Sequence, residues 1–216
     1  NITYNCIDRH LNQKGTQTAL IFEPNFPTEK ALHITYNELH EKVCKMSNLL
    51  SDMGIEKGDR VAIYLPMIPE LAISVLACAR IGAVHSVIFA GFSSGALAAR
   101  INDAECKMVV TADGSFRGNK TIDLKGIVDK ALVQCPCVEK VLVAERTNTE
   151  INMIANRDFF LNPLFEKSAA KHEAIQMDSE DPLFILYTSG STGKPKGMVH
   201  STGGYMVYTA YTFNNV

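Results

Sequence analysis

Apolar runs of strand length alternate along this chain with segments in which apolar residues recur every three or four positions. The helical period is clearest over 37–53, where Thr35 and Glu38 have the spacing of a capping box and Gly54 is placed to end the helix. The pattern predicts helices over 37–53, 70–81, 93–104 and 124–133, and strands over 61–65, 84–89, 107–111, 138–143 and 183–187. Such alternation is typical of parallel strands joined by helical crossovers, so we expect a layered α/β domain with a mainly parallel sheet.

The alternation weakens between residues 145 and 181. Apolar spacing there predicts a helix over 157–171, whereas the segment 176–182 is polar and turn-like. We therefore place any subdomain boundary of the chain near 145–175.

The composition is that of an ordinary globular protein, with 46% hydrophobic and 20% charged residues among 216. A formal net charge of −2 argues against nucleic acid or an anionic membrane as a partner, so bound anions must be held by local groups. No apolar run reaches membrane-spanning length, and no basic-then-apolar signal opens the chain. Because the first residue is Asn1 rather than Met, the sequence is also compatible with a start inside a longer protein.

The six cysteines favour a reducing compartment. Most stand singly inside apolar stretches, where cysteine behaves as a small hydrophobic residue. Cys135 and Cys137 are the one close pair, and a single intervening residue is not the spacing of a zinc or redox motif. We therefore predict no metal ligands in this chain and a cytoplasmic location.

Glycine-bearing segments follow three of the predicted strands, at 90–92, 112–120 and 188–197. In parallel sheets, ligands gather at the carboxyl ends of strands, where such segments lead into the next element. The third segment reads Thr-Ser-Gly-Ser-Thr-Gly-Lys-Pro-Lys-Gly, and a helix is predicted after it from about residue 200. Its glycines allow close backbone approach, its amides and hydroxyl groups donate hydrogen bonds, and its two lysines supply positive charge. This chemistry fits polyphosphate.

Two other interpretations of the 188–197 loop are weaker. A Walker A loop needs Gly where this chain has Thr188, and Ser or Thr where it has Pro195, so a P-loop NTPase is not predicted. A flexible linker gives no reason for two lysines and a proline directly after an apolar strand. We therefore keep the interpretation as a phosphate-binding loop.

The loop resembles the signature phosphate loop of the adenylate-forming superfamily, which includes acyl-CoA synthetases, luciferases and peptide-synthetase adenylation domains. Its flanks narrow the resemblance, because the segments 5–10, 83–93, 180–186 and 200–205 are similar to those of acetyl-CoA synthetases. The similarity extends over the whole chain and is weakest near 145–175. It implies that residues 1–216 are an incomplete large, AMP-binding domain, with the mobile carboxyl-terminal domain outside this sequence.

The resemblance implies an acetate–CoA ligase, which converts acetate and ATP to acetyl-AMP and pyrophosphate and then transfers the acetyl group to coenzyme A. ATP is needed because a carboxylate becomes an effective acyl donor only with AMP as its leaving group. The implied small-molecule ligands are acetate, ATP with Mg²⁺, and coenzyme A.

Two sets of binding residues follow from the resemblance. The β- and γ-phosphates of ATP are assigned to Thr188, Ser189, Gly190, Ser191, Thr192, Gly193 and Lys194. Thr192 and Lys194 are the expected catalytic residues of that set, because charge builds on the pyrophosphate leaving group. Lys196 either shares this role or is a solvated surface lysine. The nucleotide end of coenzyme A is assigned to Phe89, Ala90, Gly91, Arg117, Gly118, Asn119 and Lys120.

Arg117 and Lys120 match the basic positions that meet the adenine and the 3′-phosphate of coenzyme A. A guanidinium can stack on a purine and pair with phosphate, which makes the match chemically sound. Lys120 stands where some bacterial members have Arg, which keeps the charge but loses bidentate geometry, and Ala90 stands where some relatives have Gly. Without the resemblance, an Arg-x-x-Lys segment would be more typical of solvated surface charge than of a coenzyme A contact.

Three nearby residues are given no catalytic role. His85 lies in an apolar strand and is predicted to be a hydrogen-bonded core residue, and Tyr187 is predicted to pack beneath the loop. His200 is placed at the start of the helix after the loop. A carboxylate is already nucleophilic, so the reaction needs no general base there.

The resemblance places the acyl pocket, the adenine and ribose contacts, the Mg²⁺ carboxylate and a further adenylation lysine beyond this sequence. We therefore expect the 216-residue chain alone to lack ligase activity, and any oligomer of it to be a consequence of truncation. Propionyl-CoA synthetase stays open as an alternative. From a different class, so does a non-catalytic nucleotide-binding or assembly module.

Overall fold

A computed structural model describes residues 1–188 and 195–216. Its strands are β1 Thr18–Phe22, β2 Leu32–Thr35, β3 Arg60–Tyr64, β4 Val84–Val87, β5 Met108–Ala112, β6 Gly114–Arg117, β7 Lys120–Asp123, β8 Lys140–Ala144, β9 Asp158–Phe160, β10 Pro182–Thr188 and β11 Lys196–Ser201. Its α-helices are α1 Ile2–Cys6, α2 Leu11–Lys14, α3 Tyr36–Asp52, α4 Pro69–Ile81, α5 Ser94–Asp103, α6 Leu124–Leu132, α7 Leu161–Lys167 and α8 Thr202–Asn215. Within this described part of the chain, no helix is both long and apolar enough to span a membrane.

The centre of the fold is a seven-stranded sheet in the order β11-β10-β4-β3-β5-β8-β9. Its neighbouring strands are parallel except for the antiparallel pair β10 and β11. The interior strand β5 is buried at every position, and the central strand β3 at all but its first, as expected for parallel strands covered on both faces. The predicted α/β class with a mainly parallel sheet is confirmed, and the nine elements predicted from periodicity begin and end within two residues of their predicted bounds.

The ends of the first long helix follow from local chemistry. At the start of α3 the Thr35 hydroxyl accepts a hydrogen bond from the Glu38 amide, and the Glu38 carboxylate accepts one from the Thr35 amide. Hydrogen bonds donated to the Glu38 carboxylate by the Thr35 amide and then by the Thr35 hydroxyl hold the pKa of Glu38 below its ordinary value. Gly54 follows the helix with φ +90°, a backbone conformation that residues other than glycine adopt only at an energetic cost. The reciprocal hydrogen bonds between Thr35 and Glu38 confirm the predicted capping box.

Two predicted segments have a different structure. The predicted 157–171 helix is instead strand β9 followed by the shorter helix α7. A helix that began at residue 157 would have Pro163 in its middle, where proline has no amide hydrogen to donate to the preceding turn. The helix predicted from about residue 200 begins at Thr202, and residues 196–201 form β11 beside β10. A subdomain boundary near 145–175 stays a prediction.

A buried ion network attaches β9 to α6. Lys125, whose side chain is fully buried, lies 2.7 Å from Asp129 and 2.8 Å from Asp158, and it donates to the Asn152 carbonyl at 2.8 Å. Arg157 donates to both carboxylates at 2.6 Å. Burial alone would raise the pKa of Asp158, but the hydrogen bonds from Arg157 and Lys125 outweigh it and leave that pKa below its ordinary value. The network therefore contains buried charges that depend on one another.

Candidate functional site

Each of the three glycine-bearing segments follows one of the strands β4, β5 and β10. These strands run in the same direction, so their carboxyl ends meet at one edge of the sheet. Phe184 pairs with His85 between β10 and β4, which places Thr188 at the same end of the sheet as Phe89. Thr188, the first residue of the predicted phosphate loop, therefore lies at the same carboxyl edge as the predicted coenzyme A segments.

A cavity of about 630 Å³ opens at this edge. Its walls come from the segments after β3 and β4, from the β6–β7 hairpin and from Leu186 on β10. Four of the residues assigned from sequence to coenzyme A line it together, although they come from segments 26 residues apart: Phe89, Ala90, Gly91 and Arg117. The other three form the adjoining strand end and turn without lining the cavity: Gly118, Asn119 and Lys120.

The basic residues of this site stand on a hairpin that the sequence did not reveal. Arg117 ends β6 and pairs with Lys120 at the start of β7, across a two-residue turn of Gly118 and Asn119. Gly118 has φ +58°, which suits a hairpin turn with glycine at its first central position. Both basic side chains are exposed, and within residues 1–188 and 195–216 neither has a carboxylate within 4.0 Å. Like charges opposite each other destabilise a hairpin, so an anion bound here would relieve that repulsion.

The opposite wall of the cavity is held in place by Tyr64. Its hydroxyl donates to the Phe92 carbonyl at 2.8 Å and lies 3.2 Å from the Ala90 carbonyl. Burial raises the pKa of Tyr64 to about 12, so it stays a neutral donor at physiological pH. Phe89 keeps 69% of its surface exposed at this wall, which leaves an aromatic ring for a ligand to cover.

Six residues of the predicted phosphate loop lie outside the described residues: Ser189, Gly190, Ser191, Thr192, Gly193 and Lys194. On either side of them, Thr188 ends β10 and Lys196 begins β11, and the two are directly paired. Both are exposed at the carboxyl edge. The segment therefore joins two antiparallel strands and does not lead into a helix, which corrects the sequence-based expectation.

Tyr187 connects the last turn of α5 to the end of β10. Its hydroxyl donates to the Asp103 carboxylate at 2.6 Å. The Arg100 guanidinium lies 5.5 Å from the Tyr187 ring centre and 4.4 Å from that of Phe92. Burial first, and then the hydrogen bond to Asp103, raise the pKa of Tyr187. These contacts join the strand before the phosphate loop to the cavity wall. Packing of Tyr187 beneath the loop itself stays a prediction.

The two histidines lie in an aromatic stack around Phe184. The His85 ring is 5.5 Å from Phe184, and the His200 ring is 4.4 Å from it on the neighbouring strand β11. Burial lowers the pKa of His85 to about 4, so the ring is neutral at pH 7. His85 is buried, as predicted. Its Nδ1 has no hydrogen-bond partner among the described residues, so the predicted hydrogen bonding is wrong at that atom. Neither histidine gains a catalytic role from these contacts.

Sequence reasoning missed most residues that build the cavity, and three of them matter for its chemistry: Tyr64, Phe116 and Arg146. Tyr64 acts through contacts to residues 26 and 28 positions away, which no local pattern reveals. Arg146 follows strand β8 by two residues. Because ligands gather at strand carboxyl ends, this position in the sequence is the signal that points to Arg146.

Known proteins resemble this chain in sequence and in fold. The family described as AMP-binding enzyme matches residues 7–216. Acetyl-coenzyme A synthetase of Desulfatibacillum aliphaticivorans is 54% identical and acetyl-coenzyme A synthetase 2 of Pseudomonas aeruginosa 55% identical, each over 100% of this chain and 33% of the relative. The solved structure of acetoacetyl-CoA synthetase from Streptomyces lividans has a TM-score of 0.89 and 26% identity, over 98% of this chain and 32% of that chain. The chain thus spans about a third of the length of the curated relatives it matches.

Proposed function

Because this chain belongs to the AMP-binding enzyme family, we propose that it is the amino-terminal portion of an AMP-forming acetate–CoA ligase. The whole enzyme activates acetate with ATP, releases pyrophosphate, and transfers the acetyl group from acetyl-AMP to coenzyme A. Relatives named acetyl-coenzyme A synthetase, at 54% and 55% identity, support acetate over propionate. Membership of an enzyme family, together with a built cavity, speaks against a non-catalytic module. A cytoplasmic location, and the lack of ligase activity in the 216-residue chain alone, stay predictions.

The observation that carries this proposal is the composition of the cavity. Phe89, Ala90 and Gly91 from one crossover and Arg117 from a later hairpin meet in one cavity, as a site for the nucleotide of coenzyme A requires. The exposed Phe89 ring offers an aromatic surface, and Arg117 offers a planar cation that stacks on a purine or pairs with phosphate. A phosphate-binding loop without this cavity would fit any adenylate-forming enzyme.

The phosphate loop contributes to the first half-reaction. In our proposal Thr188, Thr192 and Lys194 hold the β- and γ-phosphates of ATP, and the positive charge of Lys194 stabilises the pyrophosphate as it leaves. The position of Thr188 supports this assignment, because its side chain is exposed at the carboxyl edge of the sheet and it directly precedes the segment 189–194. Mg²⁺ prefers oxygen ligands and would neutralise further phosphate charge when bound with ATP.

Replacing Arg117 with alanine is expected to raise the dissociation constant for coenzyme A by about ten-fold or more. A hydrogen bond to a charged group contributes about 1.5–3 kcal/mol, and the substitution leaves no second fork-shaped donor on that strand. Isothermal titration calorimetry on the chain measures the change. Arg9→Ala is the matched control, because Arg9 is an exposed arginine on a different segment. Equal affinities for the wild type and Arg117→Ala would contradict the assignment of the cavity.

A further inference from the structure

The loop after β8 brings another arginine to the edge of the sheet that carries the cavity. A buried carboxylate fixes its backbone: Asp113 is 2% exposed and accepts hydrogen bonds from the amides of Gly114 at 2.6 Å, Arg146 at 2.8 Å, Thr147 at 3.0 Å and Thr149 at 3.3 Å. One side chain thereby ties this loop to the first residue of β6. The position of Arg146 relative to the β6–β7 hairpin is therefore set by the fold.

The side chain of Arg146 is held between two aromatic rings. Its guanidinium carbon lies 5.6 Å from the ring centre of Phe22 and 5.2 Å from that of Phe116, and its Nη2 donates to the Asn25 side chain at 2.9 Å. Cation–π contacts of this kind orient a guanidinium and leave its edge free to donate. Because a guanidinium has five N–H donors, the bond to Asn25 uses only a small part of this capacity.

The charge of Arg146 is not neutralised by a neighbouring carboxylate. Arg60, Arg80 and Arg157 each have an acidic partner within 4.0 Å. Among residues 1–188 and 195–216, neither Arg146 nor Arg117 has one, and both line the same cavity. The segment 189–194 contains no acidic residue. Two guanidinium groups without a carboxylate partner on one mostly apolar cavity, one of them oriented by its contacts, are an arrangement suited to a doubly charged anion.

We propose that Arg146 is a specificity-determining residue for the 3′-phosphate of coenzyme A, acting together with Arg117 in the same cavity. This inference rests on the proposed function, because it takes the cavity as the coenzyme A site. A phosphomonoester has three acceptor oxygens and close to two negative charges, so it can accept from two guanidinium groups at once. The same cavity then discriminates against dephospho-coenzyme A, which lacks that group.

The test compares the dissociation constants of coenzyme A and dephospho-coenzyme A for the wild-type chain, Arg146→Met and Arg146→Lys. Arg146→Met is expected to weaken binding of coenzyme A by about ten-fold and to leave binding of dephospho-coenzyme A within about two-fold, because only the first ligand carries the 3′-phosphate. Arg146→Lys keeps the charge without the fork and is expected to fall between the wild type and Arg146→Met. Arg9→Ala again serves as the control for a lost surface cation.

Thermal unfolding of each variant separates recognition from folding. A ratio of the two dissociation constants that stays at the wild-type value in Arg146→Met overturns the inference. It does so whether both affinities are unchanged or both fall together with the melting temperature, since the second result shows a purely structural role. Binding of coenzyme A that depends on Arg117 but not on Arg146 leaves the proposed function standing and removes this inference alone. A wild-type chain that does not bind coenzyme A removes both.

Discussion

Replacing Lys125 with methionine is expected to lower the free energy of unfolding by about 3–5 kcal/mol. The Lys125 ammonium group is fully buried and lies within 2.8 Å of carboxylate oxygens of both Asp129 and Asp158. Methionine has a similar length but no charge, so the Asp158 carboxylate would keep its burial and lose one of its two cationic partners. Removing one partner of a buried ion pair costs more than the intact pair contributes, because the carboxylate that stays buried is less well compensated, and this asymmetry sets the size of the effect.

Urea unfolding followed by circular dichroism measures the loss for Lys125→Met. Lys130→Met is the matched control, because Lys130 is on the same helix α6 but exposed. We expect the control to change the free energy of unfolding by about 0.5 kcal/mol or less. Similar, small losses in both variants would mean that the ion network does not hold β9 to α6.

The same network predicts how stability depends on acid. Since the folded pKa of Asp158 is below its ordinary value of 3.8, its contribution is present above that value and is lost as the pH falls through the lower, folded pKa. Asp158→Asn removes this titrating group. Below about pH 4, its free energy of unfolding should therefore depend less on pH than that of the wild type.

Replacing Lys194 with alanine is expected to slow acetate-dependent ATP–pyrophosphate exchange by about 10²–10³-fold in the full-length ligase proposed above. Loss of one preorganised group that stabilises developing charge typically has this effect, since its contribution is larger in the transition state than in the ground state. Measured exchange rates at saturating ATP report the step in which pyrophosphate leaves.

Lys196 is the matched neighbour for this measurement. It is exposed at the first position of β11, paired with Thr188, and its role is open from sequence alone. As a solvated surface lysine, its replacement by alanine should change the exchange rate by about two-fold or less. A Lys194→Ala enzyme that exchanges as fast as the wild type would contradict the assignment of Lys194 as a catalytic residue.

Much of the fold is predictable because long periodic segments encode it locally. Helix α3 shows its period, its capping box and its terminal glycine within 20 residues, from Thr35 to Gly54, so its start and end follow from sequence. Strand β9 has three residues, too few for periodicity to identify, and Lys125 anchors it from more than 30 residues away. The β6–β7 hairpin was missed because its strands have four residues each and carry mixed polar and apolar side chains.

The candidate site is less predictable than the fold. The phosphate loop is recognisable from ten consecutive residues, and Arg117 is identified through the resemblance to acetyl-CoA synthetases. Arg146 and Tyr64 act through contacts that exist only after the sheet has formed, to Phe116 in one case and to the Ala90–Phe92 loop in the other. Cavity walls of this kind depend on tertiary packing, which a single sequence does not display.

The two proposed ligand positions are close to each other in the fold. Tyr187 ends the apolar part of β10 just before the phosphate loop, and through Arg100 it contacts the Phe92 ring beside the cavity wall. Thr188 and Phe89 lie at the same end of neighbouring parallel strands. One edge of the sheet can therefore present both the phosphates of ATP and the nucleotide of coenzyme A without sharing residues between them.

The most direct test of this arrangement is a two-dimensional ¹H–¹⁵N NMR titration of the chain, first with coenzyme A and then with pyrophosphate and Mg²⁺. We predict that coenzyme A shifts the amide signals of residues 89–91, 115–120 and 146, and that pyrophosphate then shifts those of 188–194 without displacing coenzyme A. Coenzyme A shifts confined to residues away from the cavity, or pyrophosphate shifts at the same residues as coenzyme A, would contradict two separate anion sites on one edge of the sheet.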